Sequence, residues 1–180
     1  GVFIRSGTVN LSNNLIINNT AQKGGGVYID EQPSLTMHNN VIAENIATYS
    51  SGGGGLNDDD SGDDGIFSIK FNSFAKNTAN EKGAAIIYRR SNTNAPLQYN
   101  LFYKNVIQSA STTGSISNTV YISNNTSPII NHNNIIDNSA SYFIYNENNY
   151  SGNSIDAENN YWGTTTDSEI QLQLYDFNDE

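Results

Sequence analysis

The chain has 180 residues, a formal net charge of −10 and no cysteine, and it contains 30 asparagines and 15 glycines. Without cysteine, neither a disulfide framework nor a thiolate metal site can form. So many Asn and Gly residues, both poor helix formers, argue against a helical bundle. All eight Lys and Arg precede Asn105, which disfavours duplex nucleic acid and anionic membranes as partners. No apolar run approaches the roughly 18–20 residues of a membrane span.

One short phrase, Asn-x-Ile/Phe-x-x-Asn, recurs along the chain and is clearest at Asn40-x-Ile42-x-x-Asn45. Its first asparagine occurs six times, at Asn14, Asn40, Asn72, Asn100, Asn133 and Asn160. The sixth copy is altered, because it carries Trp162 at the apolar position and Thr165 at the second Asn position. Self-similarity with a period of about 20–50 residues is typical of a solenoid.

Each repeat carries two further apolar segments, represented by 26–29 (Gly-Val-Tyr-Ile) and 35–37 (Leu-Thr-Met). Brief alternation of apolar and polar residues with β-branched and aromatic content predicts strands. Three short strands per coil, stacked over about six coils, predict an all-β, single-stranded parallel β-helix. We expect the asparagines to stack in two ladders at the corners, since Asn tolerates left-handed backbone geometry and its amide can bond the next coil.

The last segment departs from the repeat and is expected to close the solenoid. Residues from about 155 to 180 would form the final coil and a cap, with Trp162 as a bulky plug over the core. After the plug, either a short helix begins at Asp167 or Ser168 with Ile170 and Leu174 on one face, or Ile170, Leu172 and Leu174 alternate in a strand. We expect residues 1–180 to form one domain, with further coils or another domain before Gly1, because the first segment looks like a full coil.

The phrase and the glycine-led segments together resemble the repeats of polymorphic outer-membrane-protein-like adhesins. The relevant stretches are Phe74-x-x-Asn77 and its copies, together with Gly25-Gly-Val and Gly83-Ala-Ala-Ile. More broadly, the pattern resembles the right-handed parallel β-helices of the pectate-lyase-like superfamily. The ending 159–163 (Asn-Asn-Tyr-Trp-Gly) is similar to the coil that closes many secreted bacterial β-helices. This resemblance implies a right-handed solenoid, but the superfamily includes lyases, hydrolases, adhesins and binding modules.

An acidic cluster is the strongest local departure from the repeat. Five carboxylates fall within the seven residues 58–64, and a hard cation such as Ca²⁺ would relieve their mutual repulsion. The candidate metal ligands are Asp58, Asp60, Asp63 and Asp64. The spacing does not match an EF-hand loop, and a solvated acidic loop without metal is the alternative.

A row of aromatic residues is the candidate carbohydrate-binding surface. If Val2, Val27 and Val120 point into the core, the next residue of each strand points outward. The outward row would then hold Phe3, Tyr28, Asn57, Ile87, Tyr121 and Ile144, with Phe3, Tyr28 and Tyr121 as the sugar-stacking rings. A register slip of one residue would instead place this row in the core.

The sequence offers few groups of acidic and basic residues that could form a catalytic site. Arg89 and Arg90 are the one adjacent pair of bases, and no acidic calcium nest lies beside them unless the 58–64 loop folds across. A hydrolase needs two or three carboxylates that converge on one face; the candidates are Asp30 and Glu31 at one strand end and Asp58 in the equivalent place one coil on, with solvated corners as the alternative. His38 and His132 occupy different positions in the repeat, so a shared metal site is not expected.

The sequence therefore predicts a non-catalytic, secreted or cell-surface module for adhesion, filament assembly or polysaccharide binding. The expected partners are a polysaccharide, another surface protein or a second copy of the chain. A polysaccharide lyase or glycoside hydrolase is the alternative, with its active site on preceding coils or on the surface formed by 58–64 and 89–90.

Overall fold

A computed structural model describes residues 1–31, 33–59, 65–90, 95–108, 117–124, 126–147 and 155–175. It is a parallel β-solenoid of about five turns, with four sheets rather than the three predicted. The additional sheet consists of two-residue strands that follow the second asparagine in the first four copies of the phrase. Two residues are too short to show an alternating pattern, which is why the sequence did not reveal this sheet.

In the described part of the chain, each sheet takes one strand from successive turns. Sheet A contains β1 (Val2–Ile4), β5 (Val27–Ile29), β9 (Leu56–Asp58), β13 (Ile86–Tyr88), β17 (Asn118–Ile122), β19 (Tyr142–Asn146) and β20 (Leu174–Tyr175). Sheet B contains β2 (Thr8–Ser12), β6 (Ser34–His38), β10 (Phe67–Lys70) and β14 (Leu97–Gln98). Sheet C contains β3 (Leu15–Ile17), β7 (Val41–Ala43), β11 (Ser73–Ala75), β15 (Leu101–Tyr103) and β18 (Asn134–Ile136). Sheet D contains β4 (Thr20–Ala21), β8 (Ile46–Ala47), β12 (Thr78–Ala79) and β16 (Val106–Ile107).

The core consists of apolar columns that run along the solenoid axis. The apolar residue of the repeated phrase forms the column of sheet C, in which Phe74 pairs with Ile42 on one side and Phe102 on the other. The two phenylalanine rings stack with centroids 5.5 Å apart. Across the interior, Gly55 leaves room for Phe74, because a Cβ at Gly55 would lie 2.9 Å from the Phe74 ring. The carbonyl oxygen of Ala85 would lie still closer, at 2.7 Å, and Gly26 faces Ile42 in the same way, which accounts for the glycines before β9 and β5.

The predicted asparagine ladders are present, and each links successive turns by the same set of hydrogen bonds. In the second ladder, the Oδ1 atom of Asn77 accepts from the backbone N–H of Asn45 at 3.2 Å and from its Nδ2 at 3.0 Å. The Nδ2 of Asn77 donates to the carbonyl of Ile42 at 2.8 Å and to Oδ1 of Asn105 at 3.1 Å. Asn40, Asn72, Asn100 and Asn133 repeat this arrangement in the first ladder.

The ladder asparagines do not themselves adopt the left-handed conformation, which corrects the sequence-based expectation. In both ladders, the residue that precedes the asparagine has a φ between 51° and 58°. At the corner between sheets B and C these residues are Asn13, Asn39, Phe71, Tyr99, His132 and Asn159. At the corner between sheets C and D they are Asn18, Glu44, Lys76, Lys104 and Asp137. The left-handed residue turns the chain, and the asparagine after it secures the turn.

The C-terminal cap has the predicted plug. Trp162 is buried, continues the sheet C column after Ile135, and packs edge-to-face on Phe143 with ring centroids 5.7 Å apart. Both alternatives for the following residues hold in part, since a helix α1 spans Asp167–Gln171 and β20 then pairs with β19. Across the described ranges, no helix has the length and hydrophobicity needed to span a membrane.

Candidate functional site

The predicted outward row lies on sheet A, with one correction. Phe3 pairs with Tyr28, and Ile87 pairs with Tyr121, as the repeat requires. Tyr121 then pairs with Tyr145, while Ile144 pairs with Val120 in the core. The assignment of Ile144 to the row was therefore wrong by one residue, because β17 and β19 are longer than the other strands of this sheet and the sequence offered two alignments.

Most of this row is covered rather than open to solvent. Phe3 is 61% exposed and stacks on Tyr28 with ring centroids 5.6 Å apart, whereas Tyr121 is only 2% exposed. Lys82 lies over the Tyr121 ring, with Nζ 4.3 Å from its centroid, and the Tyr121 hydroxyl donates to Glu147. Of the three residues proposed to stack on sugar, Phe3 therefore presents the most accessible ring.

A charged cluster surrounds Tyr28 on the same sheet. Asp59 forms ion pairs with Lys23 and Arg89, and its Oδ2 accepts a hydrogen bond from the Tyr28 hydroxyl at 3.1 Å. Burial, followed by the charge and hydrogen bond of Asp59, raises the pKa of Tyr28 to about 12. Burial alone would raise the pKa of Asp59, but the hydrogen bond from Lys23 and the charge of Arg89 more than offset it, so that pKa is lowered.

These pKa directions bear on catalysis. A general acid or base works best when its pKa lies near the working pH. The Tyr28 pKa moves away from neutrality upwards, and the Asp59 pKa moves away from neutrality downwards. At neutral pH, both groups are therefore held in fixed protonation states, as expected for a structural ion-pair network.

The titration of Tyr28 tests this arrangement. The difference between the alkaline absorbance titrations of the native protein and Tyr28→Phe should isolate one phenol that ionises near pH 12. Because the folded-state pKa lies above the unfolded value near 10, the stabilisation is fully present below about pH 10 and is lost as the pH rises towards 12. In Asp59→Asn the ionisation of Tyr28 should move to lower pH, because the variant removes the negative charge that raises the pKa of Tyr28. A difference curve centred near pH 10 would contradict the proposed contact.

Asp58, one of the four candidate metal ligands, lies in the core and pairs with Arg90. The Nε atom of Arg90 is 3.2 Å from both carboxylate oxygens, and neither side chain is more than 1% exposed. Asp60, Asp63 and Asp64 lie outside the described residues, so calcium binding by this loop stays a prediction. Among the residues that are described, no group of three or more His, Asp or Glu side chains is placed to hold a metal ion.

A second aromatic row, which the sequence analysis did not identify, lies at the corner between sheets B and C. We define this corner row as His38, Phe71, Tyr99 and His132. The Phe71 and Tyr99 rings stack with centroids 5.0 Å apart and an interplanar angle of 6°, and Tyr99 lies 5.0 Å from the His132 ring. His38 contacts Phe71 edge-on at 5.2 Å. Phe71 is 50% exposed and Tyr99 is 46% exposed, so the stack is accessible from solvent.

The backbone of the corner row is unfavourable for its side chains. Phe71, Tyr99 and His132 all have a φ of 57°, which bulky residues rarely adopt. Asn13, Asn39 and Asn159 occupy the same position in other turns, and asparagine is among the residues best suited to it. Left-handed geometry costs a bulky residue about 1 kcal/mol or more. The same conformation occurs at Glu44, Lys76 and Lys104 on the neighbouring corner, so the ladder imposes it in each turn, and the corner row differs in the bulky rings that it places there.

The corner row borders an exposed apolar face on sheet C. Leu15 of β3 is 66% exposed, and Ile17 of the same strand and Val41, which pairs with Leu15, are each 40% exposed. Contiguous exposed apolar surface is uncommon on monomeric soluble proteins and marks interaction sites. The signal that could have revealed the corner row was the residue before each ladder asparagine, which is Asn in three turns but Phe, Tyr or His in the others.

Comparison with protein families, with curated proteins and with solved structures gave no match to this chain. The interpretation of the corner row therefore rests on its geometry.

Proposed function

We propose that this solenoid is a non-catalytic polysaccharide-binding module, and that the corner row is its binding surface. The observation that carries the proposal is the half-exposed stack of Phe71 and Tyr99, whose backbone is held in a strained conformation that asparagine fills elsewhere. Because the Phe71 and Tyr99 rings stack face to face on each other, the surface that this row offers to a sugar chain is a line of ring edges, exposed without rearrangement of the fold.

The spacing of the rings and the net charge of the chain favour an extended, uncharged polysaccharide. Successive rings follow the solenoid axis at intervals of 5.0 Å, which is comparable with the length of one sugar residue in an extended chain. The net charge of −10 disfavours an anionic polymer over long range. Several rings in one line would contact consecutive sugars, so weak individual contacts would combine.

The sequence resemblance supports the same proposal. Adhesin-like repeats and a pectate-lyase-like closing coil are expected in proteins that are secreted or displayed on a cell surface, where polysaccharides are the partners. The exposed apolar face of sheet C offers a surface for adhesion or filament assembly through another protein or a second copy. Polysaccharide binding is favoured over these because the strained aromatic residues form a line rather than a broad patch.

The double variant Phe71→Asn/Tyr99→Asn tests the proposal without disturbing the fold. It places asparagine, the residue that three other turns have at this position, in both turns of the corner row. The free energy of unfolding should therefore change by no more than about 1 kcal/mol. Binding to insoluble uncharged polysaccharides (cellulose, chitin, mannan and xylan) should weaken at least tenfold, since stacked aromatic residues dominate such contacts. Retention is measured by depletion of protein from solution.

Tyr49→Asn is the matched control, because Tyr49 is 54% exposed but lies outside the corner row. It should bind as the native protein does. The proposal fails if the native protein is retained by none of the four polymers, or if the double variant is retained equally well. Concentration-dependent sedimentation of the native protein, lost in the double variant, would instead assign the row to self-association.

A polysaccharide lyase or glycoside hydrolase is the second candidate, and its site would be the cluster of Lys23, Tyr28, Asp59 and Arg89, which brings acids and bases together on sheet A, although the pKa directions of Tyr28 and Asp59 disfavour proton transfer near neutral pH. Release of reducing or unsaturated sugar ends from pectin, alginate or xylan would support it. Asp59→Asn and Arg89→Gln should then abolish that release, whereas binding through the corner row should be unaffected. No release from any polymer would eliminate this candidate for these residues.

A further inference from the structure

The first turn of the solenoid is an open edge of all four sheets. β1, β2, β3 and β4 each lie at the end of their sheet, with one hydrogen-bonded neighbour among the described strands. The core is also less well covered there. Val9 and Leu11 of β2 are only half-buried, whereas Leu35 and Met37, which pair with them one turn later, are 0% exposed. An unpaired strand edge beside uncovered core residues is a surface to which a further strand can be added.

The asparagine ladders give this edge a direction. In the first ladder, the backbone N–H and the Nδ2 of Asn14 both donate to Oδ1 of Asn40, each at 2.9 Å, and later turns repeat the pattern. The Oδ1 of Asn14 itself accepts from none of the residues that the structure describes. In the second ladder, the Oδ1 of Asn19 accepts from the amino group of Gly1. The edge therefore presents side-chain acceptors, and a matching partner must present donors at the same spacing.

We infer that this edge binds one coil of the same repeat, supplied by another polypeptide chain as an added turn. Two asparagines five residues apart in that coil would donate to Oδ1 of Asn14 and of Asn19. The apolar residue between them would cover Ile16, as Ile16 itself packs in register with Ile42. Backbone hydrogen bonds to the open strands would supply affinity, and the phrase Asn-x-Ile/Phe-x-x-Asn would supply specificity.

A second copy of this chain does not match the edge. Two first turns that met across a two-fold axis would place Oδ1 of Asn14 against its own equivalent, acceptor against acceptor. At the opposite end of the solenoid, Trp162 and α1 cover the core, and the sequence after Trp162 contains no further copy of the phrase. The partner is therefore a different chain that carries the repeat and leaves its last coil open.

A synthetic peptide of residues 34–48 is the probe, because it contains one complete phrase and the strands on either side of it. Titrated into the intact, ¹⁵N-labelled protein, it should shift the amide signals of residues 8–19 saturably and leave those of α1 unchanged. The same peptide with Asn40→Ala/Asn45→Ala should bind at least tenfold more weakly, because it lacks the side-chain donors for the two ladders. This comparison leaves the folded protein unaltered.

Asn10→Pro tests the edge from the side of the protein. In β2, the carbonyl of Gly7 accepts from Ser34 and the N–H of Asn13 donates to His38, so the odd-numbered residues of this strand bond to β6. The N–H of Asn10 therefore points to the open edge, and proline is tolerated at such a position of an edge strand. Asn10→Pro should weaken binding of the native peptide at least tenfold. Asn10→Leu keeps the N–H and should bind the peptide as the native protein does.

The Phe71→Asn/Tyr99→Asn variant should bind the native peptide unchanged, so failure of the corner row and failure of this edge are distinguishable. The inference is overturned if the native protein shows no saturable shifts, if the shifts lie outside the first turn, or if the alanine peptide or the Asn10→Pro variant binds equally well. Concentration-dependent sedimentation of the native protein that Asn10→Pro abolishes would assign the edge to a second copy, and would also overturn it.

Discussion

Asn77→Leu is expected to lower the free energy of unfolding by about 2–4 kcal/mol, because it leaves one buried backbone N–H without a hydrogen bond, at about 1–3 kcal/mol, and removes a side-chain hydrogen bond to a backbone carbonyl, at about 1 kcal/mol. These groups are the carbonyl of Ile42, to which Nδ2 of Asn77 donates, and the N–H of Asn45, which bonds to its Oδ1. The Nδ2 of Asn45 keeps its bond to the carbonyl of Ile16, and Oδ1 of Asn105 keeps its bond from the backbone N–H of residue 77. The two backbone groups therefore account for most of the loss.

Urea unfolding followed by circular dichroism measures this effect. Asn10→Leu is the control, since Asn10 is exposed on β2 and a surface substitution should change stability by no more than about 0.5 kcal/mol. Asn77→Asp should also destabilise the protein above the pKa of the introduced carboxyl, because a carboxylate cannot donate to Ile42 or Asn105. Lowering the pH should restore part of that loss. Equal stability of Asn77→Leu and Asn10→Leu would show that the ladder does not support the fold.

The ladders were predictable because their chemistry and their spacing coincide. Asn72 and Asn77 must lie five residues apart to occupy two successive corners, and the same offset recurs in every complete copy. The left-handed residue before each ladder asparagine was not predictable from residue preference. At this position Phe71 and Lys76 adopt a conformation that their side chains disfavour, because the ladder bonds on either side determine the backbone.

The candidate sites were less predictable because they depend on register and on distant segments. Phe3 and Tyr28 fall in one row as expected, but the burial of Tyr121 follows from Lys82 and Glu147, which lie 39 and 26 residues away. Asp58 was grouped with its acidic neighbours because they are adjacent in sequence. Its partner Arg90 lies 32 residues further along, and only the stacking of turns brings the two together.

Asp58→Asn should lower the free energy of unfolding by about 3–5 kcal/mol, because it removes the carboxylate charge that faces the buried Arg90 guanidinium. Asp58 follows Ile29 in a column of sheet A that is otherwise largely apolar, so little solvent can reach the pair. Arg90 also donates to the carbonyl of Pro33 at 2.8 Å and lies 4.6 Å from the centroid of the Phe67 ring. These contacts hold the guanidinium in place, so it cannot escape to water when the carboxylate is removed.

Arg5→Gln is the matched control for that variant, since the Arg5–Glu31 pair is exposed on both sides and should contribute little to stability. Asp58→Leu/Arg90→Met removes both charges and should recover most of the loss, because a buried ion pair contributes little net stability compared with well-packed apolar side chains. The pair joins segments from three successive turns, at Pro33, Asp58 and Arg90. If its role is to fix their register, the double variant should be stable but should show faster amide exchange in β9 and β13. A loss below 1 kcal/mol for Asp58→Asn would contradict the buried pair itself.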